Sequence, residues 1–251
     1  MPWNRPFRED SSALKGAWEA RGGRTVRLPF TDRAEAGRVL AERLVPLGLE
    51  NALVLALPRG GVPVGYEIAR RLAEPGRPAA LSVLVTRKIG YPPQPELGVG
   101  AISEGGEPVF DHSLLQRLSL DEGDLAATVT AERAELARRV KAYRGDRPPP
   151  PVEDRPVIVV DDGLATGGTA RAALRAVRSQ KPSRLVLAAP VGAAETVRAM
   201  EAEADDLVVL AAPWAFRAVG QWYRDFDQLS DADVVAWLAR AEAVRPPKGR
   251  G

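Results

Sequence analysis

The chain contains no cysteine and a single histidine, His112, in 251 residues. The first absence excludes a disulfide framework, thiolate catalysis and cysteine-based metal sites. His112 stands outside every motif below and reads as a helix-start or surface residue. Charge of one sign is also lacking: 35 Lys and Arg against 33 Asp and Glu leave a formal net charge of +2, spread along the chain. Such balance argues against a nucleic-acid partner. No apolar run approaches the roughly 20 residues of a membrane span, and Met1-Pro2-Trp3-Asn4-Arg5 lacks the apolar core of a signal peptide. The expectation is a cytoplasmic protein with no membrane partner. The length suits one α/β domain with a sizeable core.

What is present is concentrated between Val157 and Thr169. Val157-Ile158-Val159-Val160 reads as a fully buried strand. Asp161 and Asp162 follow at its carboxyl end, then the small-residue loop Ala165-Thr166-Gly167-Gly168-Thr169, then an Ala/Arg/Leu-rich helix to about Arg178. In open α/β sheets, ligands sit at the carboxyl ends of strands. A Gly/Thr loop opening a helix offers N–H groups, a positive dipole end and hydroxyls, which suit a phosphate. Adjacent carboxylates instead suit a vicinal diol, directly or through Mg²⁺. Diol plus phosphate describes a ribose 5-phosphate.

The rest of the chain alternates strands and helices, implying a mostly parallel sheet. Thr31-Asp32 caps a helix to about Leu47, ended by Gly48; strands are expected at Leu53–Leu57, Leu81–Thr86, Leu185–Ala189 and Leu207–Leu210. Helices are expected at Val62–Leu72, Asp121–Tyr143, Ala193–Glu201 and Asp231–Ala243. Residues 1–27, rich in Arg, Gly, Ser and Pro, read as a mobile arm, 28–244 as the domain and 245–251 as a polar tail. Residues 89–108, with Pro92, Pro93, Pro95 and several glycines, read as a mobile excursion holding short strands near Val99–Ile102 and Val109. Pro58-Arg59-Gly60-Gly61 is a second candidate anion loop: glycine lets backbone N–H groups come close, and Arg59 supplies a forked cation.

The Asp161–Thr169 stretch resembles the phosphoribosyl pyrophosphate (PRPP) loop of type I phosphoribosyltransferases. It differs from the adenine-type pattern Asp-Asp-Leu-Leu-Ala-Thr-Gly-Gly-Thr only at Gly163. Leu-Pro-Arg-Gly-Gly, Arg-Lys, Pro-Glu-x-x-x-Gly-Ala and Ala-Val-Gly follow a bacterial group within that family whose acceptor is undefined; the likeness spans roughly residues 31 to 240. It implies the type I fold: a mostly parallel sheet flanked by helices, a lid at about 89–108 and a small hood including 213–226.

The resemblance also implies roles. Asp161 and Asp162 hold the ribose diol and meet Mg²⁺ indirectly or through substrate; Ala165, Thr166, Gly167, Gly168 and Thr169 hold the 5′-phosphate. Arg59, Gly60, Gly61, Arg87 and Lys88 hold pyrophosphate, with a cis peptide at Pro58–Arg59. Lysine is scarce (Lys15, Lys88, Lys141, Lys181 and Lys248), which marks position 88. Catalysis falls to Asp161, Asp162, Arg59 and Lys88, and the acceptor to Phe216, Val219, Asp225 and the lid residue Glu96; Asp225 also faces Mg²⁺. Trp222, Tyr223 and Phe226 either join this segment's function or pack the C-terminal helix.

Two departures bear on substrate. Ala165 stands where the hypoxanthine–guanine type has an aspartate base, and Leu187–Val191 lacks the lysine that reads a purine 6-oxo group. The 216–226 segment carries two residues more than that type's hood. The function implied is Mg²⁺-dependent displacement of pyrophosphate from PRPP by a nitrogen nucleophile, a nucleobase with purine-like favoured, by a homodimer. Open alternatives are a PRPP-binding regulator without turnover and an acceptor other than a free nucleobase.

Overall fold

A computed structural model gives the structure of residues 17–19, 25–73 and 79–244. Residues 1–16 and 20–24 of the expected arm, and the expected tail 245–251, lie outside these described residues. The chain runs β1 (Ala17–Glu19), β2 (Thr25–Arg27), α1 (Arg33–Leu44), β3 (Leu53–Ala56), α2 (Gly61–Leu72), β4 (Ala80–Val83), β5 (Thr86–Tyr91), β6 (Gln94–Ser103), β7 (Val109–Phe110), α3 (His112–Arg117), α4 (Ala126–Arg144), β8 (Pro156–Val160), α5 (Gly168–Arg178), β9 (Arg184–Val191), α6 (Ala194–Met200), β10 (Asp206–Ala211) and α7 (Asp231–Val244). Among the described residues, no helix is long and apolar enough to cross a membrane.

The apolar run of β8 needs cover on both faces, and the fold supplies it. The central sheet is ordered β10-β9-β8-β3-β4 and every neighbouring pair is parallel. Side chains alternate across it. Ile158 and Val160 join Val54, Val186, Ala188 and the α1–α2 side chains Leu40, Leu44 and Ile68 on one face. Val157 and Val159 join Leu53, Leu55, Leu185, Leu187 and the α5 side chains Ala173, Leu174 and Val177 on the other. This doubly covered sheet is the expected fold class.

Asp32 caps α1 by accepting the Glu35 N–H at 2.7 Å, so the expected cap is present. The helix ends at Leu44, and a single 3₁₀ turn over Val45–Leu47 completes the expected length. Two strand expectations need correction. The single strand expected at Leu81–Thr86 is divided: β4 ends at Val83, and the chain crosses into a separate antiparallel sheet ordered β5-β6-β7. Within 89–108, the short strand expected near Val99–Ile102 is a ten-residue strand, β6, paired with β5 from Thr86↔Ser103 to Tyr91↔Gln94. The prolines mislead because Pro92 and Pro93 lie at the hairpin turn and Pro95 at its margin, where a missing N–H costs little. Ile89, Val99 and Ile102 pack this hairpin on Leu115, Leu125 and Val129 of the α3–α4 region. In the expected arm, residues 17–19 and 25–27 pair as antiparallel strands.

Leu174 is fully buried where α5 meets the sheet. Leu174→Ala is expected to cost about 2–5 kcal/mol, lowering the Tm in a thermal melt by at least about 4 °C. A shift under about 1 °C would contradict this packing.

Candidate functional site

The sheet order reverses at its centre. From β3 the chain winds through α2 to β4 on one side; from β8 it winds through α5 to β9 and α6 to β10 on the other. Such a reversal opens a crevice beyond the carboxyl ends of the two strands. Both candidate anion loops leave from there. Ala56 pairs with Val160, and the Leu57 N–H donates to the Val160 carbonyl at 2.8 Å, so the loops start side by side.

In the first loop, the Pro58–Arg59 peptide is cis, as the resemblance implies. Gly60 and Gly61 are required by close approach. A Cβ at residue 60 would lie 1.8 Å from Asp162 Oδ2, and one at residue 61 would lie 2.6 Å from the Val160 carbonyl oxygen. Arg59 is half-buried, and its charge reaches Tyr143 and Asp231 at the α4–α7 junction. The Tyr143 hydroxyl donates to Asp231 at 2.5 Å. Burial and this bond push Tyr143 up to about 12, while the same bond holds Asp231 below the usual carboxylate range.

In the second loop, Asp161 and Asp162 are both half-buried. The Asp162 N–H donates to Asp161 Oδ1 at 2.9 Å, and the Asp161 N–H donates to the Ala188 carbonyl at 3.2 Å. Burial, reinforced by the neighbouring Asp162 charge, raises Asp161 well above the ordinary carboxylate value. Burial also raises Asp162, and Arg33 opposes the shift: its Nε donates to Asp162 Oδ2 at 2.8 Å. The Tyr223 hydroxyl donates to the Asp162 carbonyl at 2.6 Å. Burial in turn raises Tyr223 well above its usual value.

Leu164 turns inward, its N–H on the Val191 carbonyl at 2.9 Å, while Ala165 and Thr166 face outward. Thr196 of α6 donates to the Ala165 carbonyl at 2.6 Å. Gly167 adopts φ +74°, a conformation natural to glycine, and a Cβ there would meet the Thr196 methyl at 2.7 Å. The first intrahelical bond of α5 runs from the Arg171 N–H to the Gly167 carbonyl at 2.8 Å. The N–H groups of Gly168, Thr169 and Ala170 therefore have no intrahelical acceptor and form the positive end of an 11-residue helix. Such an arrangement suits an anion.

The 213–226 segment closes over the loop. Val219 presses on Gly163, where a Cβ would lie 2.5 Å from its methyl, so the one departure from the adenine-type pattern makes room for the hood. Phe216 stacks on Trp222 at 6.1 Å and is half-buried. Tyr223 packs on Phe30 and Phe226. Backbone bonds Phe30 N–H to Trp222 O (2.9 Å), Arg224 N–H to Phe30 O (2.8 Å) and Asp225 N–H to Thr31 O (2.8 Å) zip the segment to the chain before α1. The aromatic cluster thus packs on the N-terminal segment rather than on the C-terminal helix, the packing alternative read from the sequence; Trp237 of α7 meets Tyr66. Asp225 is exposed and is held here through its backbone.

Arg87 and Lys88, expected together on pyrophosphate, lie on opposite faces of β5, as successive strand residues must. Arg87 donates to Glu132 of α4 at 2.7 Å. Lys88 Nζ donates to the Glu96 carbonyl at 3.0 Å and lies 3.4 Å from its carboxylate. Glu96 is 97% exposed and is placed with Lys88. His112 opens α3, as read from the sequence.

Among the described residues no group of three or more His, Asp or Glu could hold a metal by itself. Asp161 and Asp162 supply two carboxylates, a number that fits Mg²⁺ when substrate oxygens provide the remaining ligands. Asp225 does not join them in such a cluster. Sequence reasoning missed Arg33 and Thr196. The signal available for Arg33 was a cation in the first turn of a helix, the wrong end for the macrodipole.

Gly60→Ala is expected to displace the Asp162 carboxylate while leaving the fold in place. Calorimetric affinity for ribose 5-phosphate should fall at least about tenfold, with the Tm within about 2 °C. Unchanged affinity would show that the contact between the two loops is incidental.

The comparisons with known proteins agree with this geometry. The family model described as "Phosphoribosyl transferase domain" matches residues 32–221. Over 212 residues the chain is 45% identical to "Putative phosphoribosyl transferase Rv0571c" of Mycobacterium tuberculosis (strain ATCC 25618 / H37Rv), covering 84% of this chain and 47% of that protein. The chain thus spans about half the length of the curated relatives it matches. A 64-residue stretch is 39% identical to a uracil phosphoribosyltransferase of Lacticaseibacillus paracasei, covering 26% of this chain and 31% of that one. The crystal structure of TT1426 from Thermus thermophilus superposes with a TM-score of 0.72 at 43% identity, covering 85% of this chain and 99% of that chain. Since the family match takes in both loops at the crevice, the chain belongs to the phosphoribosyltransferase family.

Proposed function

We propose that the protein transfers the phosphoribosyl group of PRPP, displacing pyrophosphate with a nitrogen nucleophile. A nucleobase is the acceptor, with a purine-like base favoured. The acceptor nitrogen forms a bond to the anomeric carbon with inversion; the bond to pyrophosphate oxygen breaks and its electron pair leaves with pyrophosphate. The observation that carries this reading is the meeting of two anion loops on adjacent parallel strands, with Gly60 directly against Asp162.

In this reading Asp161 and Asp162 accept the ribose hydroxyls, and Thr166, Thr169 and the N–H groups opening α5 take the 5′-phosphate. Arg59, Gly60, Gly61 and Lys88 take pyrophosphate. Mg²⁺ would be held by Asp161 and Asp162 together with substrate, and it would neutralise charge on the leaving pyrophosphate. The protein's contribution is chiefly positioning and charge stabilisation. The β5–β6 hairpin, within the expected lid, would exclude water from an oxocarbenium-like transition state. The acceptor would approach the hood side, where Val219 meets Gly163. Ala165 cannot act as a base, so the acceptor nitrogen must be nucleophilic already or lose its proton to another group. A homodimer in the cytoplasm, without nucleic-acid or membrane partners, completes the reading.

Exposed Ala165 also favours a second reading, a PRPP-binding regulator without turnover. Pyrophosphate release from PRPP and Mg²⁺ should be measured against purine, pyrimidine and nicotinate-like acceptors. Release with one acceptor, lost on adding EDTA, is the expected outcome. Asp161→Asn should lower kcat/KM roughly 10–100-fold, the worth of a charged hydrogen bond. PRPP binding without release from any acceptor would replace the transferase by the regulator.

A further inference from the structure

Arg33 is at the first position of α1, immediately after the Asp32 cap. A cation there gains nothing from the helix, whose amino end is positive. Its guanidinium is turned away from solvent, with 11% of the side chain exposed against 13% for Asp162. Three contacts fix it. Nε donates to Asp162 Oδ2 at 2.8 Å, one terminal nitrogen donates to the Asp227 carbonyl at 3.0 Å, and the guanidinium carbon lies 3.8 Å from the centre of the Phe226 ring. A planar fork held at three points cannot rotate, and it imposes its orientation on the carboxylate it meets.

We propose that Arg33 is a positioning residue that sets the Asp162 carboxylate for the ribose hydroxyls and makes that setting depend on the docked 222–227 segment. The proposal rests on the assignment of Asp162 to the ribose. The geometry leaves Asp162 little freedom. Gly60 borders the carboxylate, and the Tyr223 hydroxyl grips its carbonyl. A carboxylate has about four lone-pair sites; Arg33 takes one on Oδ2 and so fixes the plane in which the others lie. Phe226 and Asp227 belong to the segment zipped onto Phe30 and Thr31, so loosening that segment removes two of the three supports of Arg33.

The test compares calorimetric binding of ribose 5-phosphate, 2-deoxyribose 5-phosphate and inorganic phosphate to the full chain and to Arg33→Gln and Arg33→Lys. The wild type should prefer ribose 5-phosphate over its 2-deoxy form by at least about tenfold. Arg33→Gln should cut that preference to within about threefold while phosphate affinity stays within about twofold. Arg33→Lys, which keeps the charge without the fork, should lie between and carries the test if the glutamine variant does not fold. Equal weakening of all three ligands, or an intact preference, would overturn the positioning role and reduce Arg33 to a structural tie. A wild type with no preference between the two sugars would instead overturn the ribose assignment of Asp162 itself.

Discussion

Parallel pairing of β3 with β8 is the constraint on which the rest depends. The register Ala56↔Val160 brings Leu57 and Asp161 off the sheet together, and everything at the crevice follows from that adjacency. The register is held by apolar burial. Ile158 and Val160 fill one core while Val157 and Val159 fill the other, each buried side chain worth about 1.5–3 kcal/mol. A slip by one residue would exchange the two sets across the sheet. The position of a polar site is thus set by residues that have no chemistry of their own.

The same adjacency creates an electrostatic problem. Two carboxylates sit side by side at the end of a buried strand, and burial works against the charge of both. Arg33 partly offsets this for Asp162; for Asp161 the offset comes from the Asp162 backbone N–H and the more distant charge of the same cation. The positive groups suited to an anion are placed to either side of the pair: Arg59 in the first loop, and the amino end of α5 at the far end of the second. The crevice is therefore segmented: acceptors for hydroxyls at the centre, donors for anions on either side. A ligand with hydroxyls between two anionic ends matches that order.

The fold and much of the site were legible because their signals are local. Strand, acid pair, small-residue loop and helix follow one another between Pro156 and Arg178, and the continuous apolar run of β8 needs no distant partner to be read. What escaped depends on long-range pairing. Arg33 and Asp162 are 129 residues apart, and nothing near either names the other. The split between β4 and β5 was hidden because the run through Leu84 and Val85 stays buried while the chain changes sheets. The hairpin at 86–103 was obscured by prolines that mark its turn and margin rather than an unpaired excursion. Arg87 shows the limit of reading a dipeptide: neighbours in sequence on a strand face opposite ways, so Glu132 claims one of the two basic residues.

The bond from Thr196 to the Ala165 carbonyl has a consequence for selectivity. With that carbonyl tied to α6 and Gly167 seated against the same threonine, the turn that opens α5 is held from two sides. A turn so held has little ordering entropy left to lose on binding an anion. Under the proposed function its donors would meet only phosphate oxygens and would have no means of asking what the phosphate is attached to. In that reading, discrimination among phosphorylated ligands would fall to the parts of the crevice built by distant segments of the chain, and mutation there would change what is accepted while leaving the phosphate contacts in place.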